Sequence, residues 1–244
     1  MNPPPLRDKE VFERMRSVLG RGWLDIPDKF TGTGAPGNYL EHLMGLEVSG
    51  ADTPDAGAWE LKFHGSSGTL ITLFHNDPKG AGEGYRTILR KWGWPSGKEK
   101  LPGFRHTLAG DKSSLGFYVG EENNGVKHLA VYNKDYRDGN GRAVPLIKWR
   151  QDELINAATS KLRRLILVRG KTQKIPVRRV RYLEARLYKN IAVSSFIQNI
   201  VDGLICIDFD YRSTGKLGGL RNHGTKFRIK SSDIGRICLD SQDF

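Results

Sequence analysis

The chain is poor in cysteine. Cys206 and Cys238 are the only two among 244 residues. Neither has the close Cys or His spacing that a zinc site requires, and two thiols make no disulfide framework, so a zinc module and a disulfide scaffold are both excluded. Each lies in an apolar run that reads as a buried strand, where cysteine acts as a small core residue. Long hydrophobic runs are also lacking. No stretch approaches the ~20 apolar residues of a membrane span, and the first residues lack the apolar centre of a secretory signal. The expected location is therefore the cytoplasm, with no membrane partner. Acidic residues are short as well, 27 against 39 Lys and Arg, for a formal charge of +12. An excess of this size favours a polyanionic partner, because each cation placed on a phosphate releases counterions. The bland alternative is a generic basic soluble protein. At 38% hydrophobic and 9% aromatic residues the composition is that of a folded chain able to bury a sizeable core.

What the chain does carry is concentrated in residues 54–62, where Pro54, Asp55, Glu60 and Lys62 precede a β-like run at residues 68–74. Residues two apart on a strand point to one face, so Glu60 and Lys62 project together, with Asp55 delivered from the turn before them. Two carboxylates and the main-chain carbonyl of Leu61 make an all-oxygen site suited to Mg²⁺. A lysine beside it is placed to hold a phosphate and an attacking water. Asp52 competes with Asp55 for the metal, and Asp55 is preferred because it directly follows Pro54. Glu41, upstream on a short predicted helix, is a candidate for a second metal position or a metal-bound water. Taken singly, Glu-x-Lys is often a solvated charge pair, Pro-Asp often opens a turn, and Glu41 reads equally as a surface helix residue. With the basic composition, the set points to metal-dependent cleavage of nucleic acid.

Apolar spacing predicts a helix over residues 7–19 ended by Gly20, and a second over 38–46. Residues 75–110 read as loop-rich and basic, with Arg86, Arg90, Lys91, Arg105 and His106 interleaved with Trp92 and Trp94. The two tryptophans read as packing residues. A β-hairpin is predicted over 115–133, a helix over 151–162, a strand over 164–170, a helix near 193–201 and a strand over 204–212. Residues 171–181 carry Lys171, Lys174, Arg178, Arg179 and Arg181 and read as a solvated strand face, with phosphate contact the alternative. A glycine loop from residue 214 runs into a basic strand ending at Lys230. The fold class expected is α/β in the mixed α+β sense, a single unit over residues 1–244. Within it a catalytic lobe is centred on 37–75, and a DNA-recognition lobe includes parts of 76–112 and 214–230.

Pro54–Asp55 with Glu60, Leu61 and Lys62 resembles the PD-(D/E)xK nuclease signature. Within that superfamily the chain resembles the MvaI/BcnI family of type II restriction endonucleases, relatives of the MutH nickase. Three features carry the resemblance: the Glu41 helix, the Trp59 to Lys62 strand, and the run Arg221, Asn222, His223, Gly224, Thr225, Lys226, Phe227, Arg228, Ile229. The spacing of Asp55 to Glu60 is shorter than MutH-like enzymes show. The resemblance implies a nuclease core with a central mixed sheet flanked by helices and two lobes around a DNA cleft. It also implies a Mg²⁺-dependent monomer that cuts double-stranded DNA at a short CC-x-GG-type site by nicking one strand and then the other, and a cognate methyltransferase that protects the host genome. Arg86, Arg105 and Arg221 are then candidates for reading guanine, since Arg bridges O6 and N7 in the major groove. Lys226 and Arg228 are candidates for phosphate or base contacts, and His75 and His223 for the central pair. Two rivals stand beside this reading: a MutH-like repair nickase, and a sequence-specific DNA-binding protein without catalysis. An RNA-binding role is disfavoured, because no RRM-like aromatic strand or KH-type glycine loop is present.

Overall fold

A computed structural model describes residues 7–46, 59–65, 70–216 and 219–244. The chain runs through α1 (Asp8–Leu19), β1 (Trp23–Asp25), α2 (Ala35–Leu43), β2 (Glu60–Gly65), β3 (Leu70–His75), α3 (Gly82–Trp92), β4 (Trp94–Ser96), β5 (Leu101–Leu108), β6 (Phe117–Asn123) and β7 (Lys127–Asn133). It continues with β8 (Ile147–Arg150), α4 (Gln151–Leu162), β9 (Arg164–Gln173), β10 (Arg179–Ile191), α5 (Val193–Val201), β11 (Ile205–Ser213), β12 (Leu220–Asn222), β13 (Lys226–Lys230), a 3₁₀ turn (Ser231–Arg236) and β14 (Cys238–Asp243). The result is a mixed α+β fold in two compact units. The first takes Met1–Ile71, Thr159–Ala192 and Ile234–Phe244; the second takes Thr72–Ala158 and Val193–Asp233. Among the described residues no helix is long and apolar enough to cross a membrane.

The first unit is built on a mixed sheet in the order β1-β10-β9-β2, with β14 also paired to β10. β2 runs parallel to β9, with Glu60 opposite Leu165 and Lys62 opposite Leu167, whereas β9 and β10 are antiparallel. β10 is long enough to take β1 over Arg179–Arg181 and β14 over Arg186–Ile191. Between those stretches its register with β9 shifts at Tyr182/Glu184, a bulge that leaves Leu183 exposed.

α1 forms because its apolar residues recur at helical spacing and its charges follow the helix dipole. Asp8 and Glu10 stand in the first turn, Arg16 in the last. Its buried stripe of Val11, Met15 and Val18 joins Leu40 and Met44 of α2 and Ile166, Val168, Val180 and Leu187 of the sheet in one core. α2 begins at Ala35, with Pro36 in its first turn, three residues earlier than the sequence spacing predicts. It ends in a Schellman arrangement: Leu46 N–H donates to the Glu41 carbonyl at 3.0 Å and Gly45 N–H to that of His42 at 2.9 Å. Gly45 sits at φ +70°, and the Arg14 guanidinium donates to the adjacent Met44 carbonyl at 2.5 Å.

The second unit contains the sheet β3-β13-β11-β5-β4, with β12 on β11, and a separate sheet β6-β7-β8. One face of the larger sheet is aromatic: Phe74 stacks on Phe227 at 4.9 Å, and Phe104 lies 5.6 Å from Tyr211. The segment 75–110 read as loop-rich is in fact largely ordered, holding α3, β4 and β5. The hairpin, the helices over 151–162 and 193–201 and the strands on β9 and β11 lie where periodicity places them. Trp92 packs on Phe117 at 5.0 Å and Trp94 on Phe104 at 5.7 Å. Cys206 is buried and Cys238 partly so; burial pushes the Cys238 thiol up to about 11.

The α2 terminus gives a stability test. Gly45→Ala forces a Cβ into the left-handed region, within 2.3 Å of the Arg14 guanidinium. The left-handed conformation alone costs about 1–2 kcal/mol. The expected result is a urea midpoint lowered by that free energy divided by an unchanged m-value.

Candidate active site

Strand β2 presents its two faces to different surroundings. Trp59 just before it and Leu61 within it turn into the helix-covered core. Glu60 and Lys62 therefore share the opposite face, as their two-residue spacing predicts. Glu60 is only 3% exposed, and the Lys62 ammonium donates directly to its carboxylate. A carboxylate this far from water keeps its charge only where a cation compensates it, and Lys62 is that cation. His64 continues the same face, opposite Arg169 on β9. Burial, then the Arg169 charge, lower its pKa, so the imidazole is neutral at pH 7.

The start of the strand is fixed by Trp59, which is fully buried. Its indole N–H donates to the Asp8 carboxylate of α1 at 3.0 Å. Arg164, at the start of β9, donates to both Asp8 oxygens at 3.1 and 2.9 Å and stands 5.4 Å from the indole ring. One carboxylate thus ties α1, β2 and β9 together next to Glu60. Sequence reading missed Asp8 and Arg164, which lie far from the motif in the chain. Glu41 is on α2, the helix that packs against β2. Asp52 and Asp55 lie outside the described residues. Among the described residues no group of three metal-ligating side chains converges.

The remaining candidates fall in the second unit. On the larger sheet, Arg105 of β5 pairs with Asp210 of β11 at 3.2 Å. Arg228 of β13 pairs with Asp208 at 3.2 Å, and Lys226 lies 3.9 and 3.8 Å from Asp208 and Asp210. Thr107 donates to Asp208 at 2.7 Å. Strand alternation puts all of these on the face opposite the aromatic one. Arg105, Lys226 and Arg228 are thereby brought onto one polar surface, threaded by two acids that the sequence reading did not single out. The alternation of Asp208 and Asp210 within an apolar strand was the available signal. Arg86 is not part of this group. It lies on α3, whose Tyr85 packs against Tyr211 of the aromatic face at 4.8 Å, and it pairs with Glu83 at 3.1 Å. Arg221 is exposed on β12, opposite Arg212.

His75 and the loop after β12 meet. The Gly224 position faces the His75 ring so closely that a Cβ there would lie 3.2 Å from it, and Gly224 itself takes φ +82°. The loop is organised by Asp77. Its carboxylate accepts from Thr225 N–H at 2.9 Å, from the Asn222 amide at 2.9 Å and from the Tyr85 hydroxyl at 3.2 Å. Partial burial works to raise the Asp77 pKa, but the hydrogen bonds from Thr225, Asn222 and Tyr85 outweigh it and hold it below the usual carboxylate range. His223 is exposed in the same loop, and its N–H donates to the Asp210 carbonyl at 2.9 Å.

The model of the MvaI/BcnI restriction endonuclease family matches residues 12–237. The chain belongs to the MvaI/BcnI restriction endonuclease family. Among solved structures, the chain is similar to the complex of restriction endonuclease MvaI with its cognate DNA substrate. The TM-score is 0.76 at 21% identity, covering 98% of this chain and 99% of that one. It is also similar to MvaI in the absence of DNA, with a TM-score of 0.51 at 21% identity over 100% and 99% of the two chains. These likenesses show the shared fold. Comparison with curated proteins gives no match. For this MvaI/BcnI family member, a nuclease by family, the buried Glu60–Lys62 pair is the candidate active-site arrangement.

The Asp77 bonds make a pH prediction. A depressed folded pKa stabilises the protein above the unfolded Asp value of ~3.9, and that contribution is lost as pH falls through the folded pKa. The stability difference between wild type and Asp77→Asn, read from urea midpoints, is expected to be constant from neutral pH to about pH 5 and to shrink below about pH 4. A difference that stays flat down to pH 3 would remove Asp77 from this role.

Proposed function

We propose that the protein is a type II restriction endonuclease that hydrolyses phosphodiester bonds of double-stranded DNA in a Mg²⁺-dependent reaction at a short CC-x-GG-type site. The observation that carries this reading is the buried Glu60–Lys62 pair on one face of β2 in a chain of this family. Hydrolysis needs an activated water, compensation of the charge that builds on phosphorus, and help for the departing 3′ oxygen. Asp55, Glu60 and the Leu61 carbonyl are hard oxygen donors that fit Mg²⁺, and they would hold it. When bound, the ion supplies Lewis acidity and lowers the pKa of a coordinated water. Lys62 offers its ammonium to a phosphate oxygen, where negative charge grows in the transition state, and orients the water. Glu41, on α2, would hold a second ion or a water bound to the first. Asp8 and Arg164, through Trp59, keep the strand that bears Glu60 in place.

The first unit is the catalytic lobe in this proposal and the second reads DNA. Arg86, Arg105 and Arg221 bridge guanine O6 and N7, Lys226 and Arg228 contact phosphates or bases, and His75 and His223 meet the central pair. The enzyme acts as a monomer in the cytoplasm. With one active centre for two strands, it nicks one, reorients and nicks the other. A cognate methyltransferase protects the host genome.

Supercoiled plasmid incubated with the protein is the test. With Mg²⁺, open circles are expected to accumulate first and to give way to linear fragments with defined ends, and EDTA is expected to stop both steps. Glu60→Ala and Lys62→Ala each lower the cleavage rate by about 100-fold or more, while gel retardation of DNA persists. Retardation without scission across several divalent metals would replace catalysis with DNA binding alone. Open circles that never become linear would point to a repair nickase.

A further inference from the structure

We propose that the hairpin joining β9 to β10 is a DNA contact in its own right, in which an apolar tip enters the minor groove while flanking cations hold the phosphates on either side. The proposal rests on the DNA-binding part of the reading above but not on catalysis. Lys171, Lys174, Arg178, Arg179 and Arg181 fall within residues 171–181 with no acid among them. Two of these five are engaged by the fold. Arg178 donates to the carbonyls of Phe30 at 3.1 Å and Gly32 at 2.9 Å, and Arg179 pairs with Asp25 at 2.5 Å. Among the described residues, Lys171, Lys174 and Arg181 have no acidic partner.

Strand register sharpens the point. Lys171 stands directly opposite Arg181, and Thr172 opposite Val180. Val180 is fully buried in the core, so Lys171 and Arg181 share the outward face. Like charges directly opposed across a ladder destabilise it. The pairing therefore works against folding, whereas a polyanion laid over both side chains turns it to advantage.

Beyond this pair the tip exposes Ile175 by 80% and Val177 by 47%, the former the most exposed large hydrophobic among the described residues. The tip is not left loose. Ile26 N–H donates to the Arg178 carbonyl at 2.8 Å, and the Gln173 amide donates to the Ile175 carbonyl at 2.8 Å. A fixed apolar knob between unpaired cations is the form of a minor-groove wedge, which parts a base step while its neighbours neutralise the phosphates.

The experiment measures binding to a random-sequence duplex in EDTA across a salt series, so cleavage plays no part. Lys171→Gln with Lys174→Gln and Arg181→Gln is expected to flatten the slope of log K against log salt by about two to three, close to 0.9 per lost phosphate contact. Ile175→Ser is expected to lower affinity several-fold at an unchanged slope, and to reduce DNA bending read by end-to-end energy transfer. Lys171→Gln alone is expected to raise the Tm while weakening DNA binding, which a merely structural cation would not do. Unchanged affinity and slope in the triple variant would overturn the proposal. So would variants that bind DNA normally but no longer sediment with vesicles of anionic phospholipid, since the tip would then be a lipid contact. Absence of plasmid cleavage by the wild-type protein, with these binding effects intact, would count against the nuclease reading alone.

Discussion

A carboxylate removed from water must be compensated where it stands, and most of the first unit is arranged around that requirement at Glu60. Its compensating charge comes from two residues along the same strand, so the pair is correct only if β2 is extended, in register with β9 and unable to roll. Each condition has an identifiable cause. The parallel ladder sets Glu60 opposite Leu165. The alternation of Leu61 into the core fixes which face is which. The Asp8–Trp59–Arg164 contacts stop the strand from sliding, because a shift of one residue would exchange the two faces and place Glu60 and Lys62 in an apolar core.

The second unit solves a different electrostatic problem. A surface of unopposed cations repels itself and binds polyanions indiscriminately. Here Asp208 and Asp210 hold Arg105, Lys226 and Arg228 across three strands. Side chains already ordered by such contacts lose less freedom when they engage a ligand. A partner must also offer enough to replace each carboxylate, which favours one whose donors and acceptors match over one that offers only charge.

The parts of this molecule legible in the sequence were those governed by neighbours in the chain. Periodicity placed α1, α4 and α5, and the two-residue step put Glu60 and Lys62 together. The segment 75–110 was misread because its glycines look like loop signals while serving close packing. A Cβ at Gly84 would lie 1.9 Å from the Leu146 carbonyl oxygen, and one at Gly103 would lie 2.2 Å from the Ser96 hydroxyl. Those glycines admit neighbouring backbone and side chains against α3 and β5. Asp77 with Thr225, Asp8 with Trp59, and Asp208 with Lys226 were out of reach for another reason: they exist only once distant strands have taken their register.

The pairing of β2 with β9 has a consequence for how the protein comes into being. The whole segment Thr72–Ala158 is synthesised between the two strands. A nascent chain that has released β2 from the ribosome has no partner for it, and closing so long an interval is slow compared with forming local turns. Until β9 emerges, Glu60 has no ladder to hold it beside Lys62 in a dry site. A translation product that ends before β9 thus carries Glu60 and Lys62 without the strand that sets β2 in its sheet.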